Sequence, residues 1–128
     1  MPRFALLEHT GAPDDPAGRH YDLLLEAGDA CRTWRLAEIP TPGGPPVTAV
    51  ELPPHRLAWL DHVAGDVSGG RGFARRVAAG EYAVTACDAD DLRAATRIAL
   101  VLTSPVLPPR FELEQRVEDW AASGAPHG

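Results

Sequence analysis

The chain holds 128 residues, 45% of them hydrophobic, with 18 acidic and 12 basic side chains and a formal net charge of −6. That length suits one domain and leaves no room for a second, and the hydrophobic share excludes wholesale disorder. The acidic balance excludes a broad DNA-coating face, which must be basic, but leaves space for a local phosphate site.

In chain order, residues 3–9 read as a short apolar strand that ends in polar side chains. Residues 11–18 carry two prolines, two glycines and two aspartates, the composition of a surface loop. Residues 20–26 and 30–36 follow as the second and third strands, with Gly28-Asp29 between them as a hairpin turn. Residues 39–46, with four prolines and two glycines, break any regular element. Further strand candidates lie at 47–52, 56–63, 71–78, 81–87, 92–102 and 106–116. Helix is expected in two places only, weakly at 90–95 and at 112–122, where Leu113, Val117 and Trp120 show helical spacing. Short strands between Pro/Gly turns predict a mainly β fold: a single small closed or partly open barrel of about eight strands, or a sandwich. That domain is expected over residues 1–122, with a short C-terminal helix and a flexible tail at 123–128.

The longest apolar run, residues 98–102, is far too short to cross a membrane, so no membrane association is expected. Met1-Pro2-Arg3-Phe4 opens without an apolar stretch and cleavage site, which makes the cytoplasm the expected location. Cys31 and Cys87 form no CxxC pair and read as two buried or half-buried thiols rather than a disulfide. Every basic residue is arginine, which a GC-rich coding sequence explains more simply than selection for phosphate binding.

Side chains alternate along a strand, so His20 and Asp22 project from one face and Tyr21 from the other. His9 ends the preceding strand and meets them if the two strands pair. Two imidazoles and a carboxylate suit Zn²⁺, Mn²⁺ or Fe²⁺, with positions left open for water or substrate. On spacing alone, two exposed histidines and a solvated aspartate at a strand edge are the favoured reading, because a histidine and an aspartate two apart often occur by chance. Glu26 shares that face and either looks into the same cavity or is solvated. Trp34 and Tyr82 read as core or barrel-wall aromatics rather than base-stacking platforms.

The runs Arg3-Phe4-Ala5-Leu6-Leu7-Glu8-His9 and His20-Tyr21-Asp22-Leu23-Leu24-Leu25-Glu26 resemble the 3′-phosphoesterase module of bacterial DNA ligase D. That module has an R-F strand ending in histidine, then an H-Y-D strand ending in L-E. The likeness continues at Thr33-Trp34, where the family has S-W-A, and through residues 54–61, where it has D-H-P-L-x-Y-x-D. Gly65, Val67-Ser68-Gly69-Gly70, Gly80-Glu81-Tyr82 and residues 109–113 fit its later glycine turns and strands, so the resemblance spans roughly residues 3–113. It implies an eight-stranded β barrel and a Mn²⁺-dependent enzyme that trims 3′-phosphates and terminal ribonucleotides during end-joining repair. His9, His20 and Asp22 match its metal ligands. His55 matches a histidine that contacts the scissile phosphate, and Trp59 falls where the family keeps a tyrosine.

Departures from the pattern concern the phosphate clamp. Leu24 stands where the family places a phosphate-gripping arginine, Glu38 where it has a lysine, and Val47 where it has a second arginine. The loop between His9 and His20 is longer than the family's and is acidic at Asp14 and Asp15. Losing one preorganised cation costs a few kcal/mol of transition-state stabilisation. Arg71 in its glycine turn, Arg75 (with Arg76), Arg19 before His20 and Arg56 beside His55 are the candidate replacements, with Arg71, Phe73 and Arg75 expected on one strand face.

The expected function is therefore metal-dependent phosphoesterase chemistry on DNA or RNA 3′ ends, with Mn²⁺ or alternatively Zn²⁺ on His9, His20 and Asp22. His55 is the catalytic candidate, and Arg71, Arg75, Arg56 and Trp59 are the substrate contacts. Expected partners are nucleic-acid 3′ ends or a small phosphodiester, together with an end-joining ligase or polymerase. The rival expectation is a catalytically weak metal-containing barrel that binds a nucleic-acid or other phosphate ligand. An iron-oxygenase triad fits poorly, because such barrels usually place the carboxylate two residues after the first histidine.

Overall fold

A computed structural model describes residues 1–104 and 107–125 of the chain. Its strands are β1 (Arg3–Thr10), β2 (Arg19–Ala27), β3 (Ala30–Leu36), β4 (Val47–Arg56), β5 (Ala64–Asp66), β6 (Phe73–Cys87), β7 (Arg97–Leu102), β8 (Arg110–Gln115) and β9 (Trp120–Gly124). Antiparallel pairing runs β1-β2-β3-β4-β9-β8-β7-β6 and returns from β6 to β1. The result is a closed eight-stranded barrel, with β5 added on β6 as an extra strand. Among the described residues no helix is long and apolar enough to cross a membrane.

The apolar runs of β1 and β2 are continuous because both faces of that wall are covered. Phe4, Leu6, Leu23 and Leu25 join Trp34, Leu36, Phe111, Leu113 and Trp120 in the large interior core. Ala5, Leu7 and Leu24 face outward with Cys31, under Leu60. Cys31 and Cys87 are both free thiols, the first buried and the second half-buried. Trp34 and Trp120 meet edge to face, 5.3 Å apart. The Arg32 guanidinium lies 4.9 and 5.0 Å from their rings and is held by Glu51 and by the carbonyls of Leu92 and Ala95.

Four expected elements are corrected. The candidate strand at 56–63 is a 3₁₀ turn, Leu57–Asp61. Leu57 and Leu60 are three apart, which puts them on one side of a 3₁₀ helix but on opposite faces of a strand. The candidates 71–78 and 81–87 are one strand that runs through Gly80. A Cβ there would stand 2.6 Å from the Thr103 carbonyl oxygen, so only glycine lets the wall close at this point. Residues 92–102 divide into a short 3₁₀ turn (Leu92–Ala94) and β7.

The expected C-terminal helix is overturned. Phe111 and Leu113 point inward while Glu112 and Glu114 are exposed, so the period is two and the segment is β8. Val117 is fully exposed in the turn closed by Arg116 N–H to the Asp119 carbonyl. β9 then fills the gap between β4 and β8, carrying ordered structure through Gly124, beyond the expected start of the tail. Residues 126–128 lie outside the described residues, as does the first residue of the 106–116 candidate.

Candidate metal centre on the barrel wall

The β1–β2 register sets His9 directly opposite His20 and Leu7 opposite Asp22. Alternation sends all three functional side chains to the outer face of the wall, the side away from Leu6 and Leu23. His20 and Asp22 are 2% and 7% exposed. Their ligand atoms and that of His9 all lie within 4.8 Å of one another. His9 Nδ1 is 3.6 Å from Asp22 Oδ2, and His20 Nε2 is 3.3 Å from Asp22 Oδ1.

Each imidazole has its other nitrogen committed. His20 Nδ1 donates to Asp15 Oδ2 at 2.8 Å, and His9 Nε2 donates to the Arg71 carbonyl oxygen at 2.7 Å. Those partners fix the neutral tautomers so that the remaining lone pairs, on His20 Nε2 and His9 Nδ1, face Asp22. His20 Nε2 and Asp22 Oδ1 are shielded from solvent and have no hydrogen-bond partner among the described residues. Two unsatisfied buried polar atoms facing each other are what a bound cation would satisfy, and the donor set suits one. The group can therefore hold a divalent metal ion.

Burial is the largest influence on His20 and disfavours its charged form, but Asp22 and Asp15 together outweigh it and raise its pKa. The Asp15 carboxyl is lowered, chiefly by its bond to His20.

Asp22 and His9 form part of the floor of an open cavity of about 500 Å³ whose lining includes Arg35, His55, Arg56, Trp59 and Arg71. His55, near the end of β4, donates from Nδ1 to the Pro53 carbonyl, which leaves Nε2 available. Its ring centre is 6.4 Å from that of Trp59, which in turn packs on His62 at 4.7 Å. His62 is engaged with the Ala74 carbonyl.

The arginines separate by role. Arg71 supplies its carbonyl to His9, but its guanidinium folds back onto the Ser68 carbonyl and hydroxyl. Arg75 does not line the cavity and pairs with Glu8 at 3.3 Å. Arg56 is exposed on the cavity lining. Arg71 lies in the turn before β6, so it does not share a strand face with Phe73 and Arg75. Glu26 accepts the Arg3 backbone N–H and is not in the metal group.

Two residues at the site escaped the sequence reading. Asp15 had a signal, a carboxylate five positions before His20, but its loop reads only as polar. Arg35 stands opposite Asp22 in the β2–β3 register and lines the same cavity. Alternation from Cys31 and Thr33 would have found it.

A comparison with protein-family models finds no match, and neither does a comparison with curated proteins.

Proposed function

We propose that this chain is a metal-dependent phosphoesterase acting on nucleic-acid 3′ ends, a divergent relative of the ligase D phosphoesterase module. One observation carries the reading: two histidines, each with one nitrogen committed to an oxygen acceptor, turn the other toward Asp22 beside an open cavity. His9, His20 and Asp22 would hold the metal, with Mn²⁺ the expected ion and Zn²⁺ the alternative. When bound, the cation supplies Lewis-acid polarisation and charge neutralisation at a phosphoryl oxygen.

The chain's own groups supply the rest. Asp15 and the Arg71 carbonyl hold the two imidazoles in orientation. His55 lines the cavity with Nδ1 committed to Pro53, which leaves Nε2 to donate, when protonated, to the leaving oxygen. Trp59 gives an apolar wall against which a sugar or base can lie. An end-joining ligase or polymerase would supply or consume such ends.

The second reading, a metal-containing binding module with little turnover, is favoured by Leu24. It is fully buried in the outer apolar cluster, where no cation can replace it. The test is a gel assay on a primer–template ending in a 3′-phosphate or one 3′-ribonucleotide, with Mn²⁺, with EDTA, and with Asp22→Ala. Metal-dependent trimming lost in the variant is expected. Metal binding without trimming of any DNA, RNA or small phosphodiester substrate would transfer the assignment to the binding module.

A further inference from the structure

A phosphate ester seated on this centre needs a cation beside the metal, and the arginines expected to provide it do not all reach the cavity freely. Arg71 is folded onto Ser68 and Arg75 is paired with Glu8. Arg35 is placed differently. It projects from β3 opposite Asp22, on the metal side of the wall, and its side chain is 23% exposed.

A guanidinium offers five N–H donors in a planar fork. Arg35 makes one side-chain hydrogen bond among the described residues, from Nη1 to Asp14 Oδ2 at 3.3 Å. Its Nε is shielded from solvent and has no hydrogen-bond partner among the described residues. A shielded donor of this kind is costly to leave unpaired, and the fork matches the oxygens of a phosphate. Asp14 is a weak hold on it. The distance is long and the Asp14 side chain is 70% exposed, on a loop at the cavity.

We propose that Arg35 is the phosphate-gripping side chain of this cavity, and that Asp14 gives up its place to the ligand's phosphate. The inference rests on the phosphoesterase reading for the class of ligand, a phosphomonoester or phosphodiester at the metal centre. Asp14 occupies the arginine as an internal anion. A phosphate brings a second oxygen for Nε, and a monoester also brings more charge, so it displaces the carboxylate without a covalent step.

The test titrates thymidine 3′-monophosphate into the full chain, with Mn²⁺ present, and reads the change in intrinsic tryptophan fluorescence, to which Trp59 in the cavity contributes beside the buried Trp34 and Trp120. Thymidine is the control without phosphate. Saturable binding of the nucleotide and not of thymidine is expected. Arg35→Gln should weaken it about tenfold or more, a charge-assisted bond lost. Asp14→Asn should tighten it about two- to fivefold, as removal of a partly exposed competing pair allows. Arg75→Gln should leave it unchanged.

Arg35→Gln binding as tightly as wild type would overturn the proposal, as would Asp14→Asn weakening the complex or thymidine binding equally well. Near-UV circular dichroism of the Trp34–Trp120 pair reports the fold of each variant. Should Arg35→Gln not fold, Asp14→Asn still decides the matter, since it keeps Arg35 intact. Absence of turnover with this binding pattern intact sinks the enzyme and leaves Arg35 in place. Turnover and nucleotide affinity both unaffected in Arg35→Gln sink Arg35 and leave the enzyme.

Discussion

Replacing Asp15 by asparagine tests the candidate metal centre at a residue outside the His9, His20 and Asp22 group. The Asp15 carboxylate accepts from His20 Nδ1 at 2.8 Å, and its side chain is 10% exposed. It fixes which nitrogen of His20 carries the proton and makes the other a better donor to a cation. Asparagine keeps nearly the same shape and can still accept from the Ala17 N–H, so the loop is retained. Loss of such a partner typically costs about 10- to 100-fold in metal affinity, and that is the expected effect. The assay is a calorimetric titration of Zn²⁺ or Mn²⁺ into the chain near neutral pH. Asp22→Ala provides the zero reference, and Asp14→Asn the control for charge on the same loop. Asp14 is bonded to Arg35, not to either histidine, among the described residues, so its variant should bind metal within about twofold of wild type. Wild-type affinity in Asp15→Asn, with the fold unchanged, would refute the assignment of His20 as an oriented ligand. Wild-type affinity in Asp22→Ala would refute the centre altogether.

Further outcomes follow from other parts of the molecule. Gly72 has φ +96° and a Cβ there would stand 2.1 Å from the Thr10 carbonyl oxygen. Gly72→Ala should therefore cost more than the roughly 1–2 kcal/mol of left-handed backbone strain, seen as a lower melting temperature. It should also weaken metal binding, because the adjacent Arg71 carbonyl orients His9. Burial pushes the Cys31 thiol up to about 11 from its ordinary 9.0, so about 100-fold less thiolate is present near neutral pH. A thiol reagent should leave Cys31 unmodified in the native chain and modify it after denaturation. Asp88 is lowered to about 2, first by the Thr96 hydroxyl and then by the Arg97 and Thr96 backbone N–H groups. Its folded pKa lies below the unfolded value of 3.8, so its stabilisation is complete above about pH 4 and is lost as pH falls toward 2. The melting-temperature gap between wild type and Asp88→Ala should shrink across that window, and a constant gap would contradict it.

Much of this barrel was legible in local patterns. The first three strands emerge from the apolar runs and the intervening turn residues, because each pairs with its sequence neighbour. Alternation placed His20 and Asp22 on one face and pairing of β1 with β2 could bring His9 to them, but it took the family resemblance to favour a metal group over a solvated strand edge. The resemblance supplied a candidate role for His55, and the structure places that residue on the same cavity wall.

Long-range closure decided the rest. Whether residues 112–122 formed a helix or two strands depended on the open edges of β4 and β7, which close only when β8 and β9 lie between them. Gly80 reads locally as a break, yet it continues β6 because the Thr103 backbone packs against it. Arg75 and Arg35 show the same division at the site. In sequence both are arginines on strands near glycine or tryptophan. Register alone turns Arg75 toward Glu8 and sets Arg35 beside Asp22, since a shift of one residue exchanges the two faces of a strand. Composition and alternation thus determined that this chain is mainly β, a barrel or a sandwich, with His9, His20 and Asp22 as a candidate group. Closure of the barrel decided which cations and carboxylates surround that group.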